Sequence, residues 1–148
     1  MSKLPFDLDI GIRFEDSGKI LKWKTDFEQL KSIDTPIIRS NETTSLLWQN
    51  KICFGGLELN ILIQMDELRN NTGKLEHVSF GQIIEPIEAY KKNLIIFKSN
   101  LGEPSYNETD GYGYPISKWN FENLEVVIGV AERFVDYQIF AISYVKND

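Results

Sequence analysis

Apolar side chains recur along this chain with two different periods, and the places where the period changes mark its elements. From residue 83 to 101 the period is helical. Ile83, Ile87, Tyr90, Leu94, Phe97 and Leu101 follow at steps of four and three, which keeps them on one face. Pro86 suits a first helical turn, because its missing N–H would have had no partner there. Leu101-Gly102-Glu103-Pro104 supplies a stop, with glycine as the cap and proline preventing resumption. A long helix is therefore predicted over about 85–101. Beyond it, Leu124, Val126, Ile128 and Val130, then Tyr137, Ile139, Ala141, Ser143 and Val145, alternate at the two-residue period of half-buried strands.

The first half reads mainly as strands. Leu8, Ile10, Ile12 and Phe14 alternate with Asp9, Gly11, Arg13 and Glu15, predicting a strand over 8–15. Asp16-Ser17-Gly18-Lys19 is a turn, and Ile20 to Trp23 its hairpin partner. Thr25-Asp26-Phe27-Glu28 matches a capping box, in which hydroxyl and carboxylate satisfy the first amides of a helix. That predicts a short helix over about 26–33, which Pro36 ends. Residues 35–50 fit strand or loop equally. Leu57, Leu59, Ile61, Ile63 and Met65 define a strand face after a Gly55-Gly56 turn. Asn70-Asn71-Thr72-Gly73 is a further turn before a strand over 75–80, and residues 105–118 read as a loop rich in Tyr, Asn, Asp and Gly. Tight turns make neighbouring strands antiparallel. The sum is an α+β fold: a single curved antiparallel sheet of about six or seven strands carrying the long helix on one face.

Without repeats or a linker, and at 148 residues, the chain reads as one domain, 1–148, large enough to need no metal or disulfide. Pro5 and two acids fall within the first nine residues, leaving no apolar core for a signal peptide. The longest apolar runs fall far short of the roughly 20 residues that span a bilayer. A lone cysteine, Cys53, fits a reducing compartment, so a cytoplasmic location is expected.

Charge changes the picture of the second half. Residues 1–74 hold 10 basic and 11 acidic groups, whereas 75–148 hold 6 and 11. Such a surface repels nucleic-acid phosphates and anionic lipid and attracts basic partners. It equally serves solubility.

Candidate chemistry is sparse. His77, the only histidine, lies on the polar side of its strand, and Cys53 sits in the apolar run Ile52-Cys53-Phe54. Neither has a companion at a spacing that makes a metal site or a nucleophile–base pair. Gly111-Tyr112-Gly113-Tyr114-Pro115 lacks the glycine spacing and downstream Lys-Ser/Thr of a phosphate loop. Glu85 and Glu88 suit the positive end of the long helix. What remains is a concentration of rings and acids: Glu103, Tyr106, Glu108, Asp110, Tyr112 and Tyr114. Tyrosines of this kind anchor protein contacts; they also serve to cover the end of a helix or sheet.

A long amphipathic helix, Leu101-Gly102-Glu103-Pro104, a polar aromatic loop, Trp119 and an acidic terminal hairpin together resemble the small immunity proteins of bacterial polymorphic-toxin and contact-dependent systems. The resemblance covers residues 84–145 and is one of architecture and composition. It implies a cytoplasmic protein that neutralises a cognate, basic toxin domain, with no catalysis and no cofactor of its own. The expectation is a non-enzymatic binding protein whose partner meets Glu103, Tyr106, Glu108, Asp110, Tyr112 and Tyr114, with neither nucleic acid nor membrane as partner. Two alternatives stand beside it: a small-ligand-binding or hydrolytic domain with a pocket between sheet and helix, near His77, and a secretion-chaperone-like dimer joined at a strand edge. Whether the chain is a monomer or a homodimer is open.

Overall fold

The computed structural model describes residues 4–40, 43–65, 73–109, 113–132 and 135–145. The predicted turn at Asn70–Thr72 falls outside them. The chain divides into two compact units, Met1–Phe80 and Gly81–Asp148. The α+β class, with antiparallel strands and one long helix, is as the periodicity predicts.

The first unit opens with a short turn, Pro5–Asp7, in which Phe6 and Asp7 have φ of 60° and 56°. This reversal shortens the predicted first strand to β1, Gly11–Arg13. Leu8, Ile12 and Phe14 are still buried, while Ile10, the fourth member of the alternation, is half-buried because the backbone there is not extended. β1 pairs antiparallel with β2, Ile20–Lys22. Gly11 is required in this hairpin, since a Cβ there would lie 2.1 Å from the Leu21 carbonyl oxygen.

The short helix is α1, Phe27–Leu30. Its predicted capping box does not form: no side chain caps it, and Glu28 turns to Lys31 at 2.9 Å. The Phe27 amide instead donates to the Gly73 carbonyl at 2.9 Å, so a backbone neighbour has taken the place of the cap.

Four strands follow in the order β3-β4-β5-β6: Ile37–Ser40, Thr44–Cys53, Leu57–Met65 and His77–Gly81. Residues 35–50, ambiguous in sequence, thus contain strand on both sides of 41–42. Leu57, Leu59, Ile61 and Ile63 are buried as their alternation requires. The Gly55-Gly56 turn has φ of 81° and 114°, preceded by Phe54 at 55°. Phe14 packs on Trp48 with ring centres 5.9 Å apart, and Phe54 on Phe80 at 5.4 Å.

The second unit contains α2, Pro86–Leu101, and four antiparallel strands in the order β10-β9-β8-β7. These are β7, Tyr106–Thr109; β8, Pro115–Asn120; β9, Leu124–Glu132; and β10, Asp136–Tyr144. With the β1–β2 hairpin, which is a two-stranded sheet of its own, the described strands number ten, against the six or seven expected in a single sheet. The increase comes from 37–40 and from 106–109, a stretch predicted as loop. Glycines and charges surround it, but Tyr106 to Thr109 pairs in register with Lys118 to Pro115.

Helix α2 packs on β9 and β10. Its buried residues are Ala89, Tyr90, Asn93 and Phe97, which corrects the predicted ridge. Ile83 lies before the helix and is 87% exposed, and Leu94 is half-buried because the face turns to include Asn93. An apolar count cannot find a buried asparagine. Its Nδ2 donates to Gln82 Oε1 at 2.8 Å, and Gln138 Nε2 donates to the same oxygen at 2.6 Å. The interface is filled by rings: Phe97 meets Trp119 at 5.8 Å and Phe140 at 5.6 Å. The Trp119 indole donates to the Gly102 carbonyl at 2.9 Å, pinning the helix end to β8.

Candidate functional site

Strand alternation on β7 sorts the predicted recognition residues. Asn107 lies on the helix-bearing side of the sheet, where its Oδ1 accepts from Ser117 Oγ at 2.9 Å, and Ser117 Oγ also meets the Tyr90 hydroxyl at 2.8 Å. Its two neighbours along the strand point to the other side. Tyr106 and Glu108 therefore share the face opposite the helix, and all four residues of β7 are exposed. The strand closes the order β10-β9-β8-β7, so one of its backbone edges is unpaired by any described strand.

The Tyr106 ring, 39% exposed, is held from two sides. Its hydroxyl donates to Glu108 Oε2, and Lys118, directly opposite on β8, places its ammonium 5.5 Å from the ring centre. The hydrogen bond that the Tyr106 phenol donates to Glu108 holds its pKa above the ordinary tyrosine value, with desolvation and the nearby negative charge acting in the same direction. The register extends this surface. Tyr106 pairs with Lys118, which pairs with Val127, and Glu108 pairs with Ile116, which pairs with Gly129. A Cβ at Gly129 would sit 2.8 Å from the Pro115 carbonyl oxygen, so this row is kept flat.

The other predicted residues are placed differently. Glu103, with an 82% exposed side chain, follows the helix cap and pairs with Lys98 at 3.5 Å. Tyr114 is half-buried at the start of β8, its hydroxyl donating to Asp136 at 2.7 Å. Its ring is thus tied to the first residue of β10, while Tyr106 faces the side of the sheet opposite the helix. Asp110 and Tyr112 lie outside the described residues. Lys118, Ile116 and Asp136 were not anticipated. The signal for Lys118 and Ile116 was the pairing of Tyr106–Thr109, which is visible only once that stretch is recognised as strand.

His77 is an exposed residue of β6 with Ser79 Oγ 3.4 Å from its ring nitrogen. Burial, reinforced by the charges of Glu15 and Asp16, pushes the Cys53 thiol up to about 12, so it stays protonated and poorly nucleophilic at neutral pH. Among the described residues no three His, Cys, Asp or Glu side chains lie close enough together to hold a metal ion. No described helix is long and apolar enough to cross a membrane.

No family model, curated protein or solved structure matches this chain.

Proposed function

We propose that this chain is a non-enzymatic binding protein of the immunity type, which neutralises a basic toxin domain through the edge and outer face of its second unit. One observation carries the reading: β7 presents Tyr106 and Glu108 together on an exposed strand edge, beside the half-buried Ile116 and Val127. A rigid ring next to a flat apolar row, rimmed by charge, has the composition of a protein contact. Tyrosine adds contact area while losing little side-chain freedom on binding. The excess of acids in residues 75–148 supplies long-range attraction for a basic surface and speeds encounter. In this reading the protein acts by occupying the toxin's basic active site, and the cell compartment is the cytoplasm.

The test replaces Glu103, Glu108 and Asp110 together by the matching amides and measures association with the protein encoded by the adjacent reading frame. The association rate at low salt should fall by about tenfold or more, with a smaller difference at high salt. An unchanged rate removes this surface from the account.

A further inference from the structure

The first unit holds a cleft that the binding surface above does not use. Phe6, Asp7, Arg13, Glu15 and Phe54 enclose about 290 Å³. Two rings form its apolar wall, Phe6 meeting Phe54 edge to face at 5.7 Å. The polar groups carry both signs. The Arg13 guanidinium donates through Nη1 to Asp7 Oδ2 at 3.1 Å and makes no other hydrogen bond or ion pair among the described residues, so most of its five N–H donors are unused. Its side chain is 52% exposed and within reach of solvent. The Glu15 carboxylate is fixed by the Gly55 and Gly56 amides at 3.0 and 2.9 Å, one on each oxygen. Each oxygen keeps a further lone pair, as does the second oxygen of Asp7.

This mixed lining selects its ligand by elimination. A simple anion gains Arg13 but meets two carboxylates; a simple cation gains the carboxylates but meets the guanidinium. An uncharged apolar molecule covers all three charges and compensates none. A zwitterion with an apolar portion answers every group at once. The volume falls just below the roughly 300–1,000 Å³ typical of small-molecule sites, which limits the ligand to amino-acid size. We infer that the cleft binds a free α-amino acid with an apolar side chain. Its carboxylate lies on the open edge of Arg13, its ammonium between Asp7 and Glu15, and its side chain on Phe6 and Phe54. This inference rests on the first unit alone and is independent of the toxin reading.

The experiment titrates the full ¹⁵N-labelled chain with L-leucine, N-acetyl-leucine and leucine methyl ester, following the Gly55 and Gly56 amides. Leucine should shift them saturably, while loss of either charge should weaken binding by about tenfold or more, the effect of one charge-assisted hydrogen bond. Arg13→Gln should do the same while leaving the resonances of the second unit in place, and Asp7→Asn provides a second variant if that one does not fold. Absence of saturable shifts with leucine overturns the proposal. So does equal binding of the acetylated form, which would make the cleft an anion site, or of the ester, which would make it a cation site.

Discussion

Phe97 is the residue on which the second unit's layers meet, and its truncation tests the helix register directly. The side chain is fully buried, with Trp119 at 5.8 Å and Phe140 at 5.6 Å, the latter ring perpendicular to it. Phe→Ala in a core costs about 3–5 kcal/mol in lost transfer and residual cavity. Two aromatic neighbours, each worth about 0.5–1.5 kcal/mol beyond area, place Phe97→Ala near the middle or top of that range, at about 4 kcal/mol. A domain of this kind is stable by about 5–15 kcal/mol, so the variant should fold marginally. Urea unfolding followed by tryptophan fluorescence reads the change, with Trp119 adjacent to the lesion. At a slope of about 2 kcal/mol per molar urea, the midpoint should fall by about 2 M. Ile95→Ala, on the outward side of the same helix at 67% exposure, should move stability by less than about 0.5 kcal/mol. A Phe97→Ala loss below about 1.5 kcal/mol, or an equal loss at Ile95, would refute the packing described here.

Two further predictions concern the first unit. Asp34 accepts hydrogen bonds from Lys51 at 2.8 Å and from Ser17, and these hold its carboxyl below the ordinary carboxylate value; Lys51 and Asp34 are each only 14% exposed. Asp34→Asn should therefore cost about 1–3 kcal/mol at pH 7. Because the folded pKa is depressed, the stabilisation is complete above the unfolded value of about 3.9 and is lost as pH falls through the folded one. Unfolding curves of wild type and Asp34→Asn should converge below about pH 4, and a constant gap down to pH 2 would contradict this. Lys51 acts at the opposite end. Burial alone would lower its pKa, but the Asp34 hydrogen bond and the charges of Asp16 and Asp34 raise it, so its contribution persists below about pH 10.4 and is lost only as pH rises through the folded value. Cys53, buried and protonated, should resist a thiol reagent at pH 8 in the native state and react stoichiometrically in denaturant; rapid native labelling would show that the site opens.

Much of the fold was legible because burial is periodic. Leu57, Leu59, Ile61 and Ile63, or Leu124, Val126, Ile128 and Val130, announce their inward faces without further information. The limits of α2 followed from Pro86 and Gly102, whose φ of 86° makes the helix stop. In β10 the alternation pointed to the wrong face: Phe140 and Ile142 are buried, whereas Tyr137 and, just past the strand, Val145 are exposed. The other misses were decided by partners distant in sequence. Asn93 is buried because Gln82 receives its amide, the Thr25 cap is replaced by Gly73, and β7 exists because β8 pairs with it. The same reason limited the site: Glu103, Tyr106 and Glu108 could be singled out from composition, but the Lys118 that holds the ring lies 12 residues away in sequence. The cleft of the first unit was not legible at all. It depends on left-handed backbone at Phe6, Asp7 and Phe54, a conformation that side-chain-bearing residues seldom adopt and that composition does not signal.

The measurement closest to the centre of this account is the dissociation rate of Tyr106→Ala from the protein encoded by the adjacent reading frame, set beside Ile95→Ala on the outward face of α2. Loss of an exposed ring held in place by Glu108 and Lys118 should cost at least about 2 kcal/mol, speeding dissociation by about 30-fold, while Ile95→Ala leaves it unchanged. Equal dissociation of wild type and Tyr106→Ala would contradict the assignment of β7 as the recognition edge.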